Sequence, residues 1–364
     1  MGVGPDEQYL RMALRLAFRG AGKTSPNPMV GAVLVRRGRI VGTGYHQRAG
    51  SDHAEILALK RAGPLARRAT LYINLEPCHH QGRTPPCTEA VIRSGVERVV
   101  VGMADPNPLV SRRGIQRLRR AGISVRVGVL GQECRKLNEA FSKFISRRIP
   151  FVILKLAASL DGKIAASTGD SRWVTGAAAR NFVHLLRNQV DAVFVGVETV
   201  MADDPMLTCR LPGGRNPWRV VLDSRLRIPL AAKVLHRRGP GQTVVVTGPR
   251  APITKAEAIE RRGAYVWRMP LRKGSIPFPL ILKRLGKMGF LSVMIEGGGD
   301  TAARALADGI VDKTLFFYAP KIVGGEGRAM IGALGLRRMR HSKRIENVDI
   351  TRFDEDLLVT GYVR

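Results

Sequence analysis

Cysteine is scarce in this chain. Only four occur in 364 residues, Cys78, Cys87, Cys134 and Cys209, too few and too scattered for a disulfide framework. Cys134 and Cys209 stand alone and read as small buried apolar side chains. Long apolar runs are lacking as well. None approaches the roughly 18 residues that a membrane span needs, and the opening stretch MGVGPDEQYLRMALRLAFRG reads as an amphipathic surface helix rather than a signal peptide. The cytoplasm is therefore the expected compartment, with no membrane partner. Acidic residues are also few, 29 Asp and Glu against 60 Lys and Arg, for a net charge of +31. Residues 1–150 hold 26 basic and 10 acidic residues, and residues 151–364 hold 34 and 19, so the excess is spread evenly. Arginine supplies 46 of the 60 cations, a bias that genome composition can produce. Nucleic acid is not the expected partner on this reading, while small anionic substrates suit it.

What is present is the material of two globular domains. The chain is 45% apolar and 24% charged, enough to bury real cores. Apolar residues at helical spacing predict a helix over about 6–20. The run MVGAVLVRRGRIVGTGYH predicts a hairpin turning at Gly38. A helix over about 54–61, the strand TLYINL, a helix opening near Thr88, the strand RVVVG, a helix in RRGIQRLRRAG and the strand ISVRVGV follow. This progression implies a parallel or mixed sheet covered by helices. One more helix is expected over 131–146, and Pro150 with FVILKLAASLDG marks a restart, which sets the boundary between domains 1–147 and 148–364. Strands AVFVGV, RVVLDS, QTVVVTG, LSVMIEGGG and TLFFYAPKIVG continue the alternation, with a helix expected from about Thr301.

The scarce cysteines converge in NLEPCHHQGRTPPC. A catalytic zinc takes three protein ligands and keeps a fourth position open. Cys78 and Cys87 offer two thiolates, and upstream SDHAEILALK offers His53 two residues before Glu55. Zinc-dependent nucleobase deaminases use H-x-E followed by P-C-x-x-C, the Glu moving protons. Here Pro77-Cys78 keeps the proline–cysteine step, but Cys87 makes the spacing C-x8-C. Glu55 is the expected proton shuttle, a role without purpose in a structural site. His79 or His80 could instead close a four-ligand structural site, and His80 reads as a substrate contact or a solvated loop residue.

Taken together, TSPNPMVGAVLV, GYHQRAGSDHAEILAL, LEPCHHQGRTPPC and ADPNPLV resemble the deaminase half of the bifunctional riboflavin-biosynthesis deaminase/reductases. KLAASLDGKIA, SRWVTG, TVMADDPMLTCR, VVLDS and EGGG resemble the reductase half, in the same order. The resemblance implies a cytidine-deaminase-like three-layer α/β/α domain followed by a dihydrofolate-reductase-like α/β domain, and a homo-oligomeric enzyme. It implies zinc-dependent deamination of 2,5-diamino-6-(5-phosphoribosylamino)pyrimidin-4-one, then NADPH-dependent reduction to 5-amino-6-(5-phosphoribitylamino)uracil. By similarity His53, Cys78 and Cys87 hold zinc, Glu55 is catalytic, and Asn27 and His46 line the substrate pocket. Ala157, Trp173, Thr199, Asp203, Ser224, Gly298 and Gly299 would meet NADPH. Ser171, Arg187, Leu207, Arg210 and Glu296 would meet the substrate, with the two arginines facing its phosphate. Lys155, expected at the end of its strand, would either polarise the sugar or lie at the surface.

Some positions depart from the family pattern. Ser111-Arg112 stands in place of a glycine-containing turn. Glu198 replaces a glycine and would either repel the cofactor's phosphates or face solvent. Two rival readings follow from such features: an RNA-editing type of zinc deaminase, which the charge favours, and an active deaminase with a non-catalytic reductase-like half.

Overall fold

The computed structural model describes residues 4–79, 86–108, 111–236 and 242–364. The chain divides into two compact units, Met1–Arg148 and Ile149–Arg364.

The first unit is built on a five-stranded mixed sheet in the order β2-β1-β3-β4-β5. Helix α1 (Pro5–Phe18) leads into the hairpin of β1 (Gly31–Arg36) and β2 (Arg39–Tyr45), which turns at Gly38 with φ +74°. Helix α2 (Ala54–Ala62), β3 (Thr70–Leu75), α3 (Cys87–Arg93), β4 (Arg98–Met103), α4 (Arg113–Arg120) and β5 (Ser124–Val127) complete the sheet and its cover. Strand alternation sorts the core into two faces. Val33, Val35, Tyr72 and Val100 pack under α1 with Leu10 and Ala13. Ala32, Leu34, Leu71, Ile73 and Val99 pack against α2, α3 and α4. The result is the α/β/α sandwich that the resemblance implied. Helix α2 lies close on β2 because Gly42 and Gly44 carry no side chain; a methyl at Gly44 would stand 2.2 Å from the Ala54 carbonyl oxygen. This contact seats the start of α2, where His53 and Glu55 lie, against the sheet.

The helix expected over 131–146 is two helices, α5 (Gly131–Leu137) and α6 (Glu139–Arg147), broken at Asn138. The break has a side-chain cause. Asn138 Oδ1 accepts from the Met29 N–H at 2.8 Å and its Nδ2 donates to the Met29 carbonyl at 2.9 Å, a pairing that pins the chain across 109 positions.

The second unit carries a nine-stranded sheet in the order β11-β10-β9-β8-β12-β6-β13-β16-β15. Its central strands are β6 (Phe151–Ser159), β8 (Ala192–Gly196), β12 (Ser292–Ile295) and β13 (Lys313–Ala319). Strands β9 (Trp218–Leu222), β10 (Thr243–Thr247) and β11 (Tyr265–Arg268) extend one side in parallel. The antiparallel pair β15 (Ile345–Phe353) and β16 (Asp356–Val363) closes the other. A short ribbon joins β7 (Lys163–Ala165) to β14 (Arg328–Ala329). Helices α7 (Ala177–Gln189), α8 (Val197–Asp203), α9 (Ile253–Glu260), α10 (Phe278–Lys287) and α11 (Gly299–Ala307) cover two apolar faces. The strands read as continuous apolar runs, Val193, Phe194 and Val195 being wholly buried, as expected of a sheet covered on both sides. Helix α11 starts at Gly299, two residues before the expected Thr301.

Candidate active sites

In the first unit, the end of β3 and the N-termini of α2 and α3 bring His53, Cys78 and Cys87 to one point. The ligand-capable atoms of His53, Cys78 and Cys87 all lie within 4.8 Å of one another. His53 Nδ1 is 3.1 Å from Cys87 Sγ and 3.7 Å from Cys78 Sγ. For a tetrahedral zinc with bonds of about 2.0–2.3 Å, neighbouring ligands stand roughly 3.5 Å apart, so this donor set fits the ion. Hydrogen bonding from Cys87, then the neighbouring His53 ring, holds the Cys78 thiol below its usual range, in the sense that a zinc ligand requires. Among the described residues no fourth His, Cys, Asp or Glu joins the cluster. His79 is committed elsewhere, its Nδ1 3.1 Å from the Thr88 hydroxyl. His80 lies outside the described residues.

Glu55 is 2% exposed and within hydrogen-bonding reach of Cys87, and burial pushes its carboxyl above the usual range. His46 is equally buried. Its Nδ1 stands 3.2 Å from the Asp52 carbonyl oxygen and its Nε2 3.0 Å from Asn27 Nδ2. A carbonyl can only accept and an amide nitrogen can only donate, so the His46 proton sits on Nδ1. His46 thus stands behind Asn27 and fixes its amide with the oxygen turned away.

Sequence reasoning missed the residues that hold this frame. Glu76 is buried beside Pro77, and its carboxylate accepts from the backbone N–H groups of Asp105, Arg112 and Ile115 at 2.9, 2.9 and 3.1 Å. Asn74 accepts from the Gly31 N–H at 2.8 Å and donates to the Met29 carbonyl at 2.9 Å. No spacing marks such residues, because their partners lie dozens of positions away.

In the second unit Thr199 follows β8, Ser224 follows β9, and Glu296, Gly298 and Gly299 follow β12, all at the carboxyl ends of parallel strands, where open α/β sheets take their ligands. Lys155 is in the middle of β6, not at its end, and its side chain is 14% exposed, which removes the surface reading. Its ammonium stands 3.9 Å from Glu296, which follows β12 on the neighbouring strand. Arg187, on α7, places its fork on the same carboxylate with two bonds of 2.8 Å, and its third nitrogen is 3.4 Å from the Thr208 carbonyl. Burial works to raise Glu296, but the Arg187 guanidinium beside it, together with Lys155, holds it below the usual carboxylate range. Burial lowers the Lys155 ammonium, and Glu296 only partly opposes this. The expectation that both arginines present open forks to a phosphate is thus corrected for Arg187, whose fork is taken. Arg210 is exposed.

Ser171 donates to Asp203 at 3.2 Å, linking a substrate candidate to a cofactor candidate. Thr199, on α8, faces the turn at Gly298, where an added methyl would lie 3.8 Å from its hydroxyl. Gly299 is crowded in turn, its missing side chain leaving room for the Ala329 carbonyl only 2.5 Å from where a Cβ would stand. Ala157 lies on β6 and Ser224 just past β9. Trp173 is 63% exposed, with Arg180 over its ring at 4.6 Å. Leu207 is buried at φ +53°. Glu198 is largely exposed and ion-paired with Arg227, so the solvent-facing alternative holds. Cys134 is fully buried as expected, whereas Cys209 is only partly so.

Residues 4–103 match the cytidine and deoxycytidylate deaminase zinc-binding region, and residues 150–359 match the RibD C-terminal domain. The riboflavin biosynthesis protein RibD of Aquifex aeolicus is 46% identical over 97% of both chains. That of Escherichia coli is 39% identical, over 97% of this chain and 98% of its own. Among solved structures, Acinetobacter baumannii RibD superposes with a TM-score of 0.87 at 37% identity, covering 99% of each chain. The diaminohydroxyphosphoribosylaminopyrimidine deaminase/5-amino-6-(5-phosphoribosylamino)uracil reductase of Thermotoga maritima gives 0.85 at 37% identity, with the same coverage.

Proposed function

The chain belongs to the RibD family of riboflavin biosynthesis proteins, bifunctional enzymes that join a zinc-dependent deaminase to an NADPH-dependent reductase, and from that premise we propose how its residues divide the work. The observation that carries the reading is the convergence of His53, Cys78 and Cys87 beside buried Glu55, in a chain matched over both halves. The first unit removes the 2-amino group of 2,5-diamino-6-(5-phosphoribosylamino)pyrimidin-4-one by hydrolysis. His53, Cys78 and Cys87 hold the zinc, whose chemistry is to lower the pKa of water to about 7. Glu55 takes the proton of the attacking water and returns it to the departing ammonia. Asn27, braced by His46, turns its amide oxygen toward an N–H of the pyrimidine.

The second unit reduces the ribosyl chain of the deaminated product to ribityl, for which NADPH supplies the hydride. Thr199, Asp203, Ser224 and the Gly298–Gly299 turn hold the cofactor, together with Ala157 and Trp173. A helix N-terminus of this kind suits phosphate, since its backbone N–H groups lack internal partners. Lys155 is a buried cation held by Glu296, in position to meet the negative charge that develops on the sugar as hydride arrives. Arg187 orients Glu296, Ser171 and Leu207 shape the substrate side, and exposed Arg210 takes the substrate phosphate.

Two finer points belong to the same proposal. The chain works in the cytoplasm, where a reducing environment keeps the zinc thiols from pairing. It is a homo-oligomer, as its exposed edge strand β15, with Val348 and Ile350 outward, supports. Light scattering on the purified protein reads the second point directly.

The decisive assay measures bound zinc, ammonia release from the diaminopyrimidine, and NADPH oxidation by the deaminated product. The reading expects about one zinc per chain and both activities. Ammonia release without NADPH oxidation would leave a deaminase with a silent second half, and absence of both would sink the reading.

A further inference from the structure

The two cysteines of the zinc site come from different elements. Cys78 follows β3, whereas Cys87 opens α3. In a C-x-x-C arrangement a single turn fixes the sulfur pair. Eight intervening residues leave the spacing to whatever ties the neck of the loop, and closing such a loop costs chain entropy.

Contacts at the neck converge on Thr88. Its backbone N–H donates to the Cys78 carbonyl oxygen at 3.2 Å, next to the Cys87 N–H, which points at Cys78 Sγ from 3.5 Å. Its side chain is wholly buried, and the hydroxyl lies 3.1 Å from His79 Nδ1. The residue after one cysteine is therefore bonded to the residue after the other.

We propose that His79 and Thr88 form a clasp that holds Cys78 and Cys87 at zinc-binding distance, His79 acting as a positioning residue and not as a fourth ligand. The inference rests on the zinc reading of the site. His79 stands outside the cluster of ligand-capable atoms, and its Nδ1, the ring nitrogen nearer the backbone, is taken by Thr88. A site with three protein ligands lacks the grip of a closed four-ligand site, so retention of the ion depends more heavily on how well the ligands are held in place before it binds. The clasp supplies that arrangement without filling the coordination position that a hydrolytic reaction needs free.

The test is zinc transfer from the full-length protein to a chromogenic chelator in excess, with the cobalt-substituted protein examined by absorption spectroscopy. Thr88→Val keeps the shape and removes the hydroxyl; it should release zinc about three- to tenfold faster, the scale of one buried hydrogen bond. His79→Ala should match it, and the double variant should be no faster than either. Thr88→Ser, and His79→Asn, whose amide reaches the position of Nδ1, should restore slow release. All variants should take up about one metal at saturation, with the cobalt spectrum of His79→Ala unchanged. Unaltered release from Thr88→Val, or a His79→Ala spectrum that has lost a ligand, overturns the clasp and leaves the zinc site standing. Wild-type protein that takes up no zinc overturns both.

Discussion

In the proposed division of work Glu55 and Lys155 are the ionisable side chains that serve the two reactions, and each is buried where an unpaired charge is costly. Glu55→Gln keeps the shape of the side chain and removes only the proton transfer. Zinc content should be unchanged while ammonia release falls about 10²- to 10⁴-fold, with NADPH oxidation on the deaminated substrate intact; retained deamination would remove Glu55 from its role. Of the two arginines assigned to the substrate, Arg210 is the exposed one, while Arg187 is bonded to Glu296. Arg210→Ala should raise KM for the phosphorylated substrate by about tenfold or more with little change in kcat, the scale of one charge-assisted contact. Glu198→Gly, by contrast, should leave NADPH affinity nearly unaltered, because the carboxylate faces solvent and is already neutralised by Arg227. Tighter binding that fades with added salt would show instead that Glu198 crowds the cofactor phosphates.

Helix α1 illustrates how an element is fastened by one side chain. Asp6, in its first turn, accepts a two-point contact from Arg98 on β4 at 2.9 and 2.7 Å, and further bonds from Arg126 on β5 and the Tyr72 hydroxyl on β3. The hydrogen bonds from Arg98 are the largest cause holding the Asp6 carboxyl below its usual 3.8, while burial opposes them. A carboxyl depressed on folding adds stability that is present above its unfolded pKa and is lost as pH falls through the folded value. Asp6→Asn should therefore destabilise the first unit by roughly 1–2 kcal/mol at neutral pH, a modest figure because Arg98 is partly exposed. The gap between variant and wild type should close below about pH 3.8, as thermal unfolding across pH would show. Helix α4 makes a different point about elements. Its N-cap, Arg112, sits at φ +63°, where a glycine would be relaxed. The Arg112 N–H at this position donates to the Glu76 carboxylate at 2.9 Å.

At the scale of the molecule, each unit has cores of its own, two clusters in the first and two in the second. Residues 149–364 expressed alone should fold cooperatively and oxidise NADPH with the deaminated substrate but not with dihydrofolate. A separated unit that unfolds at once would show that the division of the chain is geometric and not energetic. The rival RNA-editing reading loses its ground at this scale too. The net charge of +31 is shared by both halves, and the second half matches a reductase domain from residue 150 to residue 359.

Whatever depends on near neighbours and residue type was legible before any coordinates. The strands TLYINL and RVVVG, the hairpin at Gly38 and the alternation of strands and helices follow from local periodicity and turn chemistry, and all appear in the fold. The set His53, Cys78 and Cys87 was legible because so few residue types bind zinc and their spacing is distinctive. The tertiary structure alone decided what depends on contacts distant in sequence. It broke the expected helix at Asn138, which bonds across to Met29, and it placed His46 behind Asn27. It also moved Lys155 from strand end to buried mid-strand and turned Arg187 from phosphate to Glu296. Periodicity records which face of an element is buried; it does not record which distant polar group will be waiting there, and a buried hydrogen bond is satisfied by whatever the fold brings within 3 Å or so.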